Sequence, residues 1–194
     1  MNHSGGNDIM GLVFVVALAV GLPIYYYNKL VSLKNMALSA FSSMDVMLKK
    51  RYDLIPNLIS AVQAYMKHER GTLSELTELR TKAMSASITP EEKMAVEGQI
   101  SHALKGLMVQ VEAYPDLKAS NNFVQLQGSL NVVEEDISAS RRNYNASVVD
   151  YNNGLEQFPS NLFAGLMRLK PMKMFEITEA ERQNVDVKSL FKAD

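Results

Sequence analysis

Residues 9–27 form an unbroken apolar run: 19 positions carry no Asp, Glu, Lys or Arg, and Asp8 is the one charged residue ahead of them. Beyond Asn28 the pattern changes. Apolar residues recur at steps of three and four, at Leu30, Leu33, Ala37, Ala40, Met44 and Met47, with Phe41 and Leu48 widening the stripe. That spacing puts them on one side of an α-helix. The stripe resumes at Ile55, Leu58, Ile59, Val62 and Tyr65. Pro56 interrupts it, either kinking one long helix or starting a second. Leu73, Leu76, Leu79 and Met84 continue the pattern past Gly71. Thr89-Pro90-Glu91-Glu92 then predicts a helix start, with Thr89 as cap, Pro90 at the first helical position and Glu92 completing a capping box. Met94, Ile100, Leu104, Leu107, Met108 and Val111 follow before Pro115. The most regular stripe joins Phe123, Leu126, Leu130, Val133, Ile137, Tyr144, Val148, Tyr151, Leu155 and Phe158, with Ser120 as a cap and Pro159 as the stop. Residues 160–166 read as a short capped helix. The chain from Pro171 reads as extended, with Met172, Met174 and Phe175 docking on the helices.

No strand-like alternation competes with this reading. The pattern predicts an all-α fold: an N-terminal transmembrane helix, then an antiparallel bundle of three to four long helices with a partly extended C-terminal tail. The boundaries expected are a short tail at 1–8, a transmembrane helix at 9–27, a bundle at 28–178 and a C-terminal tail at 179–194.

A helix of 19 residues spans about 28 Å, close to the hydrocarbon thickness of a bilayer. Tyr25, Tyr26 and Tyr27 gather at one end, where an aromatic belt belongs, with Lys29 just beyond. The competing reading is a cleaved signal peptide, for which Ala17-Leu18-Ala19 offers a cleavage site. Against it, the first eight residues contain no Lys or Arg, and the apolar run continues past Ala19. A retained anchor is the better fit. Lys29, Lys34 and Lys49-Lys50-Arg51 all follow the span, so the positive-inside rule favours a cytoplasmic large domain, with a periplasmic one as the alternative. No Gly or Ser cluster separates Tyr27 from Leu30, so the anchor is expected to run directly into the first bundle helix.

Composition narrows the chemistry. The chain of 194 residues has no Cys and a net charge of −1. Absent cysteines exclude disulfide scaffolds and thiolate metal sites. Balanced charge argues against nucleic acid as a partner, because phosphate binding needs a basic surface. His68-Glu69 lacks the second His of a metalloprotease signature; Thr72 stands at that position. No phosphate-binding loop, nucleophile elbow or dinucleotide fingerprint is present. No catalytic residue, metal, cofactor or small-molecule substrate is therefore expected.

Two segments are more specific than generic helix: residues 43–58, with Met44-Asp45-Val46, Lys49-Lys50-Arg51-Tyr52-Asp53 and Pro56-Asn57-Leu58, and residues 141–162, with Arg141-Arg142-Asn143-Tyr144-Asn145, Tyr151-Asn152 and Phe158-Pro159-Ser160-Asn161. Together with Tyr27-Asn28-Lys29-Leu30-Val31 and Ala113-Tyr114-Pro115-Asp116, they closely resemble the LemA family of bacterial membrane proteins, over roughly residues 24–180. The resemblance implies a single-pass protein of the bacterial inner membrane with a long-helix bundle. It supplies no reaction. It also implies, through family members encoded beside a membrane zinc protease of the HtpX type, a metalloprotease as a candidate partner. Phe41, Met47 and Val185 depart from the residues common in the family, Trp, Gln and Pro respectively.

Asp45, Arg51, Tyr52, Asp53 and Asn57 concentrate polar side chains beside an apolar stripe. Arg141 lies near the Ile137–Tyr144 stripe, and an Asp45–Arg141 pair between antiparallel helices is sterically reasonable. Tyr144-Asn145 and Tyr151-Asn152 repeat after seven residues, so they share one helix face. These ten residues are expected to form a structural polar network that fixes helix register. The acidic run Glu134-Glu135-Asp136 reads as a solvated face. The methionines read as packing fillers, with an adaptable surface in the tail as the alternative. The functional expectation is a membrane-anchored, non-enzymatic scaffold that assembles with copies of itself. The alternative is an adaptor for the membrane protease in envelope protein quality control.

Overall fold

The computed structural model describes residues 4–175, with side chains from residue 9 onward. Six helices account for the ordered secondary structure, and the described residues contain no strand. They are α1 (Ser4–Val62), α2 (Arg70–Ala83), α3 (Pro90–Val111), α4 (Pro115–Lys118), α5 (Asn121–Glu156) and α6 (Ser160–Leu166). The expected tail at 179–194, and Val185 within it, lie outside the described residues.

Helix α1 is continuous for 59 residues. It breaks neither at Pro23, nor at Tyr27, nor at Pro56. It is the one described helix long and apolar enough to cross a membrane. Its side chains from Ile9 through Val20 are exposed, as an anchor requires. Burial begins at Leu30 and follows the predicted stripe through Ala37, Ala40, Met44, Leu48, Ile55, Leu58 and Val62. Each large apolar side chain on that seam contributes roughly 1.5–3 kcal/mol when fully buried.

The described residues divide into two compact units. The first takes in the described residues up to Ser43, together with Arg142–Met174. Here α1 and α5 run antiparallel: Phe41 meets Tyr144 edge-on at 5.6 Å, while Leu30 and Leu33 face Gly154. A Cβ at Gly154 would lie 2.8 Å from Leu33 Cδ1, so glycine allows the two helices their close approach. Helix α6 closes this unit. Its C-terminus is a Schellman turn, in which Leu169 N–H donates to Ala164 O at 3.1 Å and Arg168 N–H to Gly165 O at 3.1 Å. Arg168 occupies the left-handed position of that turn at φ 51°.

The second unit takes in Met44–Arg141 and, of the described residues that follow, Phe175. It holds the later turns of α1 with α2, α3, α4 and the first half of α5. Helices α2 and α3 pack as a hairpin. The predicted capping box of α3 is present: Glu92 N–H donates to Thr89 Oγ1 at 3.2 Å, and Thr89 N–H to Glu92 Oε2 at 2.9 Å. The Thr89 N–H, with the Thr89 hydroxyl donating to the same oxygen at 2.9 Å, holds the Glu92 carboxyl below its ordinary range.

Four local expectations change. Helix α3 ends at Val111, and Pro115 begins the one-turn α4 instead of closing α3. Phe158 is exposed, because α5 stops at Glu156 and the residue before a proline leaves the helical region. Ser160 does not cap α6; its hydroxyl donates to Gln157 O at 2.8 Å. Met174 is exposed, whereas Phe175 is buried beneath the Arg141 guanidinium, 4.4 Å from its ring centroid.

Candidate functional site

The densest buried polar chemistry lies in the second unit, where α1, α3 and α5 supply one cluster. Arg51 sits on the apolar seam of α1, seven residues from both Met44 and Leu58, and is therefore carried inward. Its guanidinium donates to Glu97 and to Ser101 Oγ (3.0 Å) of α3, and to Glu134 Oε2 (2.8 Å) of α5. Tyr52, the next residue, donates its hydroxyl to the other oxygen of Glu97. Arg51, Tyr52 and Glu97 are all buried. Burial, reinforced by the Glu97 carboxyl, pushes the Tyr52 phenol well above the usual tyrosine range.

Two further bonds flank this cluster. Lys93 of α3 reaches Asp45 of α1, and its ammonium lies 6.0 Å from the Tyr52 ring centroid. Arg80 Nε of α2 donates to the main-chain oxygen of Tyr52 at 2.8 Å. Pairing Asp45 with Lys93 and Arg51 with Glu97 sets α1 and α3 parallel and fixes their register. A cavity of about 350 Å³ opens beside Arg51, lined by Ser101, His102, Lys105, Met108, Leu130 and Glu134 among others.

In the first unit, α5 holds the segment that follows α6 by its backbone. Tyr144 Oη donates to Lys173 O (2.9 Å) and Tyr151 Oη to Lys170 O (3.1 Å). Asn152 makes a two-way amide pair with Met172, Nδ2 to O and N to Oδ1, both 2.9 Å. Burial raises the Tyr151 phenol above its ordinary value. Asn145 is half-buried beside Tyr144. At the anchor's end, Tyr25 and Tyr26 meet edge-on at 5.1 Å, and Tyr26 stacks on Phe163 at 5.3 Å. Tyr25, Tyr27 and Lys29 are exposed.

The sequence-predicted residues thus separate. Arg51 and Tyr52 share one cluster, and Tyr144, Tyr151 and Asn152 grip one backbone segment. Asp53 and Asn57 are exposed and stand outside the cluster, because they fall on the opposite side of α1 from Arg51, Ile55 and Leu58. The Asp45–Arg141 pairing is replaced: Asp45 takes Lys93, and Arg141 covers Phe175. Sequence reading missed Lys93, Glu97 and Arg80, and took Glu134 for a purely solvated residue. A signal existed for Glu97. It lies three residues before Ile100 and seven before Leu104, an acid on an apolar stripe that needs a buried cation.

Among the described residues no group of three or more His, Asp or Glu side chains is placed to hold a metal. Both carboxylate oxygens of Glu97 and both terminal nitrogens of Arg51 are engaged within the cluster, so its chemistry is that of a helix clamp.

The chain is similar to known proteins along most of its length. Protein LemA of Metamycoplasma hominis is 27% identical over 183 residues, covering 91% of this chain and 84% of its own length. Magnetosome protein MamQ 2 of Paramagnetospirillum magneticum is 23% identical over 193 residues, covering 87% of this chain and 71% of its own. Magnetosome protein MamQ of Magnetospirillum gryphiswaldense is 23% identical over 174 residues, covering 77% and 64%. Residues 40–189 match the LemA family, a stretch that begins inside α1 and includes both the Arg51–Glu97 clamp and the Tyr144–Asn152 grip. The chain belongs to the LemA family.

Proposed function

We propose that this membrane-anchored protein is a non-enzymatic helical scaffold that assembles with copies of itself. The observation that carries this reading is an uncovered apolar line on α5. Val124, Gly128 and Val132 recur every fourth residue, both valines are exposed, and beyond the local backbone of α5 no atom lies within 4 Å of where a Gly128 Cβ would stand. Residues four apart share a helix face. A small residue between two valines lets another helix approach closely. The polar clusters support the same reading, since their groups hold helices together and the Tyr–Asn grip binds the chain's own backbone.

The test is affinity purification of the full chain in mild detergent, with identification of every stoichiometric component. A complex containing this chain alone is the expected result. A stoichiometric membrane zinc protease of the HtpX type would support the adaptor reading instead. A monomer without partners would contradict both.

A further inference from the structure

Helix α6 lies against the membrane end of α1. Tyr26 belongs to the aromatic belt that closes the apolar run, and its ring stacks nearly parallel on Phe163 of α6, with 7° between the planes. Around that contact three large apolar side chains face outward: Phe158 at 80% exposure, Leu162 at 59% and Leu166 at 82%. Leu162 and Leu166 are one helical turn apart, and Phe158 stands in the turn that enters α6. Phe158 and Leu166 are the most exposed large apolar side chains among the described residues, and such exposure in one short segment marks an interaction surface.

Charge in the same stretch has one sign. Residues 157–174 contain Arg168, Lys170 and Lys173 and no Asp or Glu, and all three basic side chains are exposed. Tyr151, Asn152 and Tyr144 hold the main chain of Lys170, Met172 and Lys173, so the backbone is fixed while the lysine heads remain outside. Apolar side chains with basic neighbours, contiguous with an aromatic belt, are the composition of an interfacial membrane contact. Basic groups in that position attract anionic headgroups.

We propose that α6 and its flanking turns form a second membrane contact. Phe158, Leu162 and Leu166 seat at the boundary between headgroups and acyl chains of the bilayer that α1 enters, and Arg168 and Lys170 engage anionic headgroups. This rests on α1 as the membrane anchor. Its consequence is that α1 meets the bilayer at a fixed depth, set by Tyr26 against Phe163.

The chain contains no Trp, so one introduced indole reports alone. The full chain is reconstituted in vesicles of phosphatidylcholine and phosphatidylglycerol that contain lipids brominated at shallow or deep acyl positions. Leu162→Trp and, separately, Leu166→Trp are expected to lose most of their emission to the shallow quencher. Phe14→Trp, within the anchor, is expected to lose most of its emission to the deep one. Quenching of Phe14→Trp without quenching at either α6 position overturns the second contact and leaves the anchor standing. That holds even if the α6 indoles are blue-shifted, since protein and not lipid would then cover them. Absence of quenching at Phe14→Trp overturns the anchor and the proposal together. Arg168→Gln and Lys170→Gln combined should reduce quenching of Leu162→Trp in these vesicles; unchanged quenching overturns the headgroup part.

Discussion

Arg80 Nε–H donates to the main-chain carbonyl of Tyr52, and that carbonyl is the one Pro56 leaves without its helical donor. A proline four residues on has no N–H to offer and crowds the same oxygen. α1 nevertheless continues through Pro56, and a side chain from α2 supplies the missing bond. Arg80→Met should destabilise the detergent-solubilised chain by about 1–3 kcal/mol, the cost of an unsatisfied buried acceptor. In a Pro56→Ala background the alanine N–H restores the helical bond, so the same change should cost clearly less. Urea unfolding of the four proteins measures the coupling. Equal losses in both backgrounds would show that Arg80 does not compensate for the proline.

The Arg51–Glu97 pair should behave as a buried ion pair. Arg51→Met leaves the Glu97 carboxylate buried beside Tyr52 without its cation, at an expected cost of about 3–5 kcal/mol. Arg51→Met with Glu97→Met removes both charges and should recover most of that loss. A single variant within about 1 kcal/mol of the parent would place the clamp's energy elsewhere.

Tyr52 gives the clamp a pH signature. Burial first, then the Glu97 carboxyl, raises its folded pKa above the ordinary tyrosine value of 10.0. As pH rises, the unfolded chain therefore loses this proton before the folded one does. Stability linked to Tyr52 is complete below the unfolded pKa and falls as pH climbs above it. Urea midpoints taken upward from that pH should fall more steeply for the parent than for Tyr52→Phe. Parallel profiles would contradict the assignment.

Arg168 stands at φ 51° in the turn after α6, a position that suits glycine. Arg168→Gly should remove a left-handed penalty of about 1 kcal/mol and raise the thermal midpoint. A lowered midpoint would mean that the arginine side chain holds the turn by contacts worth more than the strain.

The sequence made some of this legible and not the rest, for identifiable reasons. Anchor, capping box and apolar stripes depend on local spacing, and residues 9–27, Thr89–Glu92 and the Leu30–Val62 seam show it directly. Arg51 was visible as a cation on an apolar seam. Its partner depends on how α1 and α3 align, which no local pattern encodes; Glu97 was detectable only as a second charge on a second stripe. The same gap explains why Asp45 meets Lys93 and not Arg141. Phe158 continued the stripe by spacing alone, but Pro159 ended the helix that spacing assumed. Pro56 announced a defect in α1, while its repair by Arg80 lay 24 positions further along the chain.

Self-assembly through the open face of α5 is the central claim, and the mass of the purified complex tests it most directly. The full chain of 21.6 kDa, in mild detergent and corrected for bound detergent, should have a mass at a whole multiple of the protomer greater than one. Val132→Lys should reduce that mass to a single protomer while keeping the helical content. A parent protein that is itself monomeric under these conditions, or a variant whose assembly is unchanged, would contradict the account.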